Sequence, residues 1–138
     1  MEIAFTISGT PIAKGRPKFF RRGNYMGTYT PARTRNYEDS VISQALSYKP
    51  NSPLENSLRV KIVFYLPIPK SFSRKNKEKA IWGTIRPAKK PDIDNCVKAI
   101  LDPLNTIFWN DDRQIVSMHA EKFYGDIPRT EVQIETLP

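Results

Sequence analysis

Two residue types on which many catalytic sites depend are almost missing. The chain has one cysteine, Cys96, and one histidine, His119. A lone cysteine rules out an intrachain disulfide and suits a reducing compartment, so the expected location is the cytoplasm. A histidine without Cys or His partners at ligand spacing does not build a zinc site, and His119 reads as a hydrogen-bonded strand residue. Cys96 opens an amphipathic segment and reads as core packing, not as a nucleophile. Long apolar runs are also missing: no stretch of eighteen could cross a membrane as a helix. The opening "MEIAFTISGTP" has an acid at position 2 and no basic segment, so it is not expected to be a secretory signal. Neither an internal repeat nor a long low-complexity segment is present.

Acidic residues are scarce only in the first two thirds. Residues 1–90 hold 18 Lys and Arg against 5 Asp and Glu, a net +13, whereas residues 91–138 hold 4 against 9, a net −5. A basic surface of that size favours a polyanion, most simply nucleic acid, because neutralised phosphates release counterions. A solvated face kept for solubility is the plainer alternative. With 138 residues, 39% of them hydrophobic, the chain suits one domain with a real core.

The patterning predicts a β-α-β-α-β-β order. "EIAFTIS" alternates, with Ile3, Phe5 and Ile7 on one face. "GTPIAKGRPKFFRRGNYMG" is rich in Gly and Pro and reads as an extended basic loop carrying Lys14, Arg16, Lys18, Arg21 and Arg22. Thr30 is the expected cap of a helix whose apolar stripe runs through Tyr37, Val41, Ala45 and Tyr48, with Pro31 in its first position. "LRVKIVFYLP" is the clearest strand. Residues 70–90 hold eight Lys and Arg against Glu78. They include Lys75, Lys77, Lys89 and Lys90, with a short helix from a Ser73 cap to Gly83. A second amphipathic helix carries Ile93, Val97, Ile100, Leu101, Leu104 and Phe108, and Pro103 should kink or stop it. Two closing strands, "RQIVSMHAEKFYG" with Val116, Met118 and Ala120 on one side and "RTEVQIETLP" with Val132, Ile134 and Thr136 on one side, are joined so briefly by "DIP" that antiparallel pairing is expected. The expectation is one α+β domain over residues 1–138, a mixed sheet with helices packed on it.

Against this basic background stands "KPDIDNCVKAILDPLN", with Asp92, Asp94 and Asp102 inside eleven residues, followed by Asp111 and Asp112 in "NDD". Asp92 and Asp94 suit a helix entrance, where one caps the helix and both meet its positive end. That explains neither Asp111 nor Asp112. If the following strand runs back beneath the helix start, Asp112 approaches Asp92 and Asp94. Three converging carboxylates repel unless a hard cation lies between them. Mg²⁺ takes oxygen ligands, keeps waters and accepts phosphate oxygens. Beside a polyanion surface, such a site can activate water and stabilise a phosphodiester under attack.

The spacing does not fit an EF-hand, which would place Cys96, Val97 and Pro103 at the fifth, sixth and twelfth loop positions. It does not fit a phosphatase Asp-x-Asp-Gly-Thr site either. Lys98 shares a helix face with Asp94 and Asp102. An ion-pair ladder is the simpler reading of that spacing, with Asp102 pairing Lys98 or facing solvent. An ammonium beside the scissile phosphate is the other. Trp109 reads as core or as an edge anchor, with stacking on a base as the alternative.

The stretch "KPDIDNCVKAILDPLNTIFWNDDRQIV" resembles the signature of the RusA family of Holliday junction resolvases: Asp-x-Asp-Asn, a lysine four residues on, then an aromatic and Asp-Asp. Weaker similarity extends through "GTPIAKGRPKF" and "TPARTRNYED" to "KFYGDIPRTEVQIE", in the manner of the phage-type branch. The resemblance implies a Mg²⁺-dependent endonuclease, with Mn²⁺ a possible substitute, that acts as a homodimer and cuts four-way DNA junctions by paired symmetric nicks. It assigns metal binding to Asp92, Asp94 and Asp112, and the catalytic lysine to Lys98. Some members carry Arg before the first aspartate. Here Pro91 stands there, and Lys90 is the nearest substitute. A nuclease for other branched or single-stranded DNA, and a binding module with structural acids, remain as alternatives.

Overall fold

The computed structural model describes residues 1–138. Its organising element is strand β4, Ser57–Pro67, whose Leu58, Val60, Ile62, Phe64 and Leu66 are all buried on one face. Strict alternation over eleven residues makes it the natural centre of a sheet. It pairs antiparallel with β6, Arg129–Leu137, and parallel with β5, Ile115–Gly125. Strand β1, Glu2–Ser8, adds to the far side of β6, giving the order β1-β6-β4-β5. The sheet is therefore mixed, with β5 at one edge.

The two closing strands do not pair with each other, contrary to the expectation of a hairpin. Both flank β4, because its apolar face takes the buried centre. The link between them passes over the end of β4. Gly125 allows this passage: a Cβ there would lie 2.9 Å from the Tyr65 Cβ. The Arg129 guanidinium then stacks on the Tyr65 ring at 3.8 Å. In β5, Val116 is an extra residue in the register opposite Leu58 and Arg59, so it bulges outward instead of joining Met118 and Ala120.

Helices α1, Ala32–Ala45, and α3, Ile93–Leu104, cover one face of the sheet. Val41 and Ala45 of α1 meet Cys96, Ile100 and Leu104 of α3 over Phe5, Val60, Ile62 and Ile134. Fully burying each such aliphatic side chain stabilises the fold by about 1.5–3 kcal/mol. Thr30 does not cap α1: Pro31 occupies the cap position with no side-chain bond. The apolar stripe continues past Ala45 only as a 3₁₀ turn, where exposed Tyr48 stacks on Phe5. Pro103 lies in the last turn of α3, which ends one residue later. Pro103 has no N–H to give the Ala99 carbonyl, so the helical bonding is already broken where the helix stops.

The short basic helix α2, Arg74–Ile81, is capped by Ser73, whose hydroxyl accepts from the Asn76 N–H at 3.2 Å. Ala80 anchors it in a small cluster with Leu66 and Tyr124. The expected extended loop is half structured. Residues Lys18–Arg22 (β2) and Tyr25–Tyr29 (β3) form an antiparallel hairpin separate from the main sheet. Its two-residue turn is Gly23-Asn24, with Gly23 at φ 58°, where a hairpin turn requires a positive value.

Candidate active site

Asp92 and Asp94 open α3. Asp92 holds the cap position and makes no side-chain capping bond, while Asp94 accepts from the Asn95 N–H at 2.9 Å. Both are exposed, and no basic side chain pairs with either. They line a shallow groove with Arg86, Lys89, Lys90, Glu121 and Lys122. Asp92 also lines a neighbouring cleft with Arg33, Lys89, Lys90 and Asn95. Two unneutralised carboxylates thus sit at the positive end of a helix inside a basic rim. That is a place where anions are favoured and where a cation would find oxygen ligands.

The groove owes its shape to a residue that the sequence pattern hid. Lys122 lies on the same face of β5 as Ala120 and Tyr124, the face that looks toward the helices. Its ammonium donates to the Lys89 carbonyl at 2.6 Å and to the Pro91 carbonyl at 2.8 Å. It fixes the segment that delivers Asp92. The available signal was a lysine at a core-facing position of an alternating strand, which is costly unless its charge is bonded.

Asp112 does not join Asp92 and Asp94, and the chain holds no cluster of three or more His, Cys, Asp or Glu that could hold a metal ion. The expected convergence fails for a simple reason. Residue 112 precedes β5, beside the C-terminal end of α3, whereas Asp92 and Asp94 lie against residues 120–122 of that strand. The twelve residues of α3 separate the two places by about 18 Å. Asp112 instead accepts from the indole N–H of fully buried Trp109 at 2.9 Å. Asp111 accepts from the Arg113 N–H at 2.9 Å, and Gln114 Oε1 accepts from the Asn110 and Asp111 N–H groups at 2.8 Å. Within one chain, the "NDD" turn is a capped 3₁₀ turn.

The other expected residues fall as follows. Lys98 is exposed on α3 and forms no ion pair with Asp94 or Asp102, so the predicted ladder is not present. Asp102 pairs with Lys14 at 2.6 Å, and Lys14 also lies 3.8 Å from Glu38. Burial acts against the Lys14 charge, but these two carboxylates outweigh it and raise the ammonium above its ordinary value. Lys14, expected at a DNA phosphate, therefore ties its loop to α1 and α3. Arg16, Lys18, Arg21 and Arg22 are exposed on the hairpin and its stem. Lys75 and Lys77 are exposed on α2, and Lys89 and Lys90 on the rim beside Asp92. His119 Nε2 donates to the Glu121 carboxylate at 2.8 Å. Cys96 is buried, and its thiol is pushed up to about 11 by burial, with Lys122 opposing and Asp92 and Asp94 reinforcing the shift. It is no nucleophile at neutral pH.

Comparison with known proteins places these features in a wider setting. Residues 8–135 match the family model described as endodeoxyribonuclease RusA. The uncharacterized protein YqaN of Bacillus subtilis (strain 168) is 38% identical over 137 residues, covering 98% of this chain and 96% of its own length. The crossover junction endodeoxyribonuclease rusA of Lactococcus phage r1t is 28% identical over 130 residues, covering 91% and 83%.

Proposed function

The chain belongs to the family of the endodeoxyribonuclease RusA, and from that premise we propose that it is a metal-dependent endonuclease that nicks branched DNA, four-way junctions foremost, as a homodimer. The observation that carries this reading is the free carboxylate pair, Asp92 and Asp94, set in a basic groove. Left alone, two exposed acids there gain only from the helix end. Together with waters and phosphate oxygens they suit Mg²⁺ or Mn²⁺. Such an ion, when bound, polarises the scissile phosphate and makes water a better nucleophile.

The residues of the chain divide the remaining work. Lys89 and Lys90 draw the phosphate backbone to the groove, while Arg86 is held by Glu121 at 3.5 Å and by the Lys122 carbonyl at 2.9 Å. Lys98 stands one turn beyond Asp94 on the same helix face, with its ammonium free of acidic partners, and stabilises charge developing on the phosphate. The third carboxylate is the difficulty, since Asp112 lies at the other end of α3. A second copy related by a two-fold axis across the middle of α3 exchanges those ends. Asp112 of the partner subunit then meets Asp92 and Asp94. The exposed apolar residues Val116 and Met118 on edge strand β5, and Ile93 at the start of α3, support such pairing.

The test is incubation of the protein with a synthetic four-way junction, with and without Mg²⁺. Paired nicks that require the metal and vanish in Asp94→Asn support the proposal. Full cleavage by Asp94→Asn refutes it. Nicking confined to forks or flaps points to the other branched-DNA reading, and tight binding in EDTA without any cleavage points to a binding module.

A further inference from the structure

The β2–β3 hairpin is the one element that neither the core nor the acid groove explains. An isolated two-stranded hairpin is marginal in water, because it has no second layer to bury against. This one nevertheless leaves Phe19 at 77% exposure, Met26 at 67%, Tyr25 at 65% and Tyr29 at 48%. It carries Lys18, Arg21 and Arg22, and no acid lies between Glu2 and Glu38.

Its two faces differ. On one, the Phe20 ring lies over Gly27, where a Cβ would come within 2.8 Å of ring carbons. Tyr25 and Tyr29 flank that ring, with centroids 5.9 and 6.2 Å away. This aromatic group stiffens the hairpin from within. The opposite face carries Phe19, Arg21, Met26 and Thr28. Phe19 and Met26 sit diagonally there with nothing above them, and the Arg21 Nε is held by the Gly23 carbonyl at 3.0 Å.

The stem is anchored beside the acid pair. The Lys14 N–H donates to the Asn95 carbonyl at 3.0 Å, one residue after Asp94, and the Gly15 N–H donates to Thr34 Oγ1 at 3.0 Å. A rigid, basic, aromatic finger therefore projects from the edge of the groove.

We propose that this hairpin is a base-stacking finger: Phe19, backed by Met26, enters the opened stack at a DNA branch point while Lys18, Arg21 and Arg22 hold the adjacent phosphates. Aromatic rings stack on any base, and cations beside them secure the backbone. Unpaired or weakly stacked bases at a branch are the cheapest to receive a ring. The finger would therefore read DNA structure and not DNA sequence. The inference rests on the branched-DNA reading for its ligand, but its test is separate from cleavage.

That test is binding in EDTA to a four-way junction carrying 2-aminopurine beside the crossover, with a linear duplex of the same sequence as control. Wild type should raise the 2-aminopurine fluorescence on the junction and leave the duplex signal unchanged. Phe19→Ala should abolish most of that rise and weaken junction binding roughly 10-fold, with duplex affinity within about 2-fold of wild type. Phe19→Trp should restore the rise. Arg21→Ala with Arg22→Ala should weaken both DNAs alike and flatten the salt dependence. The proposal is overturned if Phe19→Ala gives the wild-type rise and affinity, or if Phe19→Ala loses junction and duplex equally. Since no step needs metal or nicking, a failed cleavage assay leaves this result standing on its own.

Discussion

The Lys122 ammonium lies 2.8 Å from the Pro91 carbonyl oxygen and 2.6 Å from that of Lys89. One side chain from edge strand β5 thus holds both ends of the segment that carries Lys90 toward Asp92. Lys122→Met keeps much of the stem and removes both bonds. It should cost roughly 1–3 kcal/mol of stability by leaving two carbonyls without a donor. It should also lower the nicking rate more than it weakens DNA binding, because the carboxylates lose their fixed approach. Chemical denaturation and single-turnover cleavage at saturating enzyme separate the two effects. A rate equal to wild type in folded protein would show that the carboxylates are positioned by other means.

Lys98 has a free ammonium on the face it shares with Asp94. It is one of 22 basic residues, so its share of non-specific affinity is small. Lys98→Ala should therefore leave the junction Kd within about 3-fold of wild type and reduce the cleavage rate by about 100-fold or more, the scale of losing one positioned charge-stabilising donor. Parallel titration and single-turnover measurements check this. Equal losses in rate and affinity would make Lys98 a backbone contact.

The Lys14–Asp102 pair makes a pH-dependent contribution whose sign follows from the lysine. Its folded-state value is raised above the ordinary 10.5. The stabilisation is therefore fully present below 10.5 and fades as pH climbs through the raised value. The pair is partly exposed, which limits it to about 0.5–1 kcal/mol. In urea titrations, Lys14→Met should be less stable than wild type by that amount at pH 8, and the gap should narrow progressively as pH rises above 10.5. Adding Asp102→Asn to Lys14→Met should cost little more, since the partners are shared. A gap that does not change however far pH is taken above 10.5 would assign the effect to packing of the lysine stem.

Much of the frame was readable from period alone. β4, the apolar face of α3 and the Ser73 cap each follow from local chemistry that tertiary contacts did not override. The hairpin was missed although "RRGNY" places a Gly-Asn turn between two aromatic segments; the surrounding Gly and Pro suggested a loop. The order of the sheet was not local information. A three-residue link suggests a hairpin, but β4 competes for the same partners and wins with its fully apolar face. Asp92 and Asp94 stand out in the sequence through their mutual repulsion on a basic chain. The place of Asp112 was not, because the same carboxylate serves a buried indole in the fold and its end of α3 depends on strand direction. Lys122 was overlooked although it stands at a core-facing position of an alternating strand, because its partners are two backbone carbonyls that no side-chain pattern points to.

The separation of Asp112 from Asp92 and Asp94 gives the dimeric reading a direct test. If each site takes its acid pair from one subunit and Asp112 from the other, two inactive chains can complement each other. Asp94→Asn and Asp112→Asn should each be inactive alone; the asparagine at 112 keeps an oxygen for the Trp109 N–H, so the turn should survive. When the two variants are unfolded together and refolded, mixed dimers form. In each, one site gathers both substitutions and the other gathers none. Single nicks should therefore return, at up to about half of the dimers if pairing is random, while paired nicks should not. Gel analysis of each labelled strand distinguishes the outcomes. If the mixture stays as inactive as its components although mixed dimers are recovered by differential tags, the carboxylates do not meet across subunits, and Asp112 acts only through its bond to Trp109.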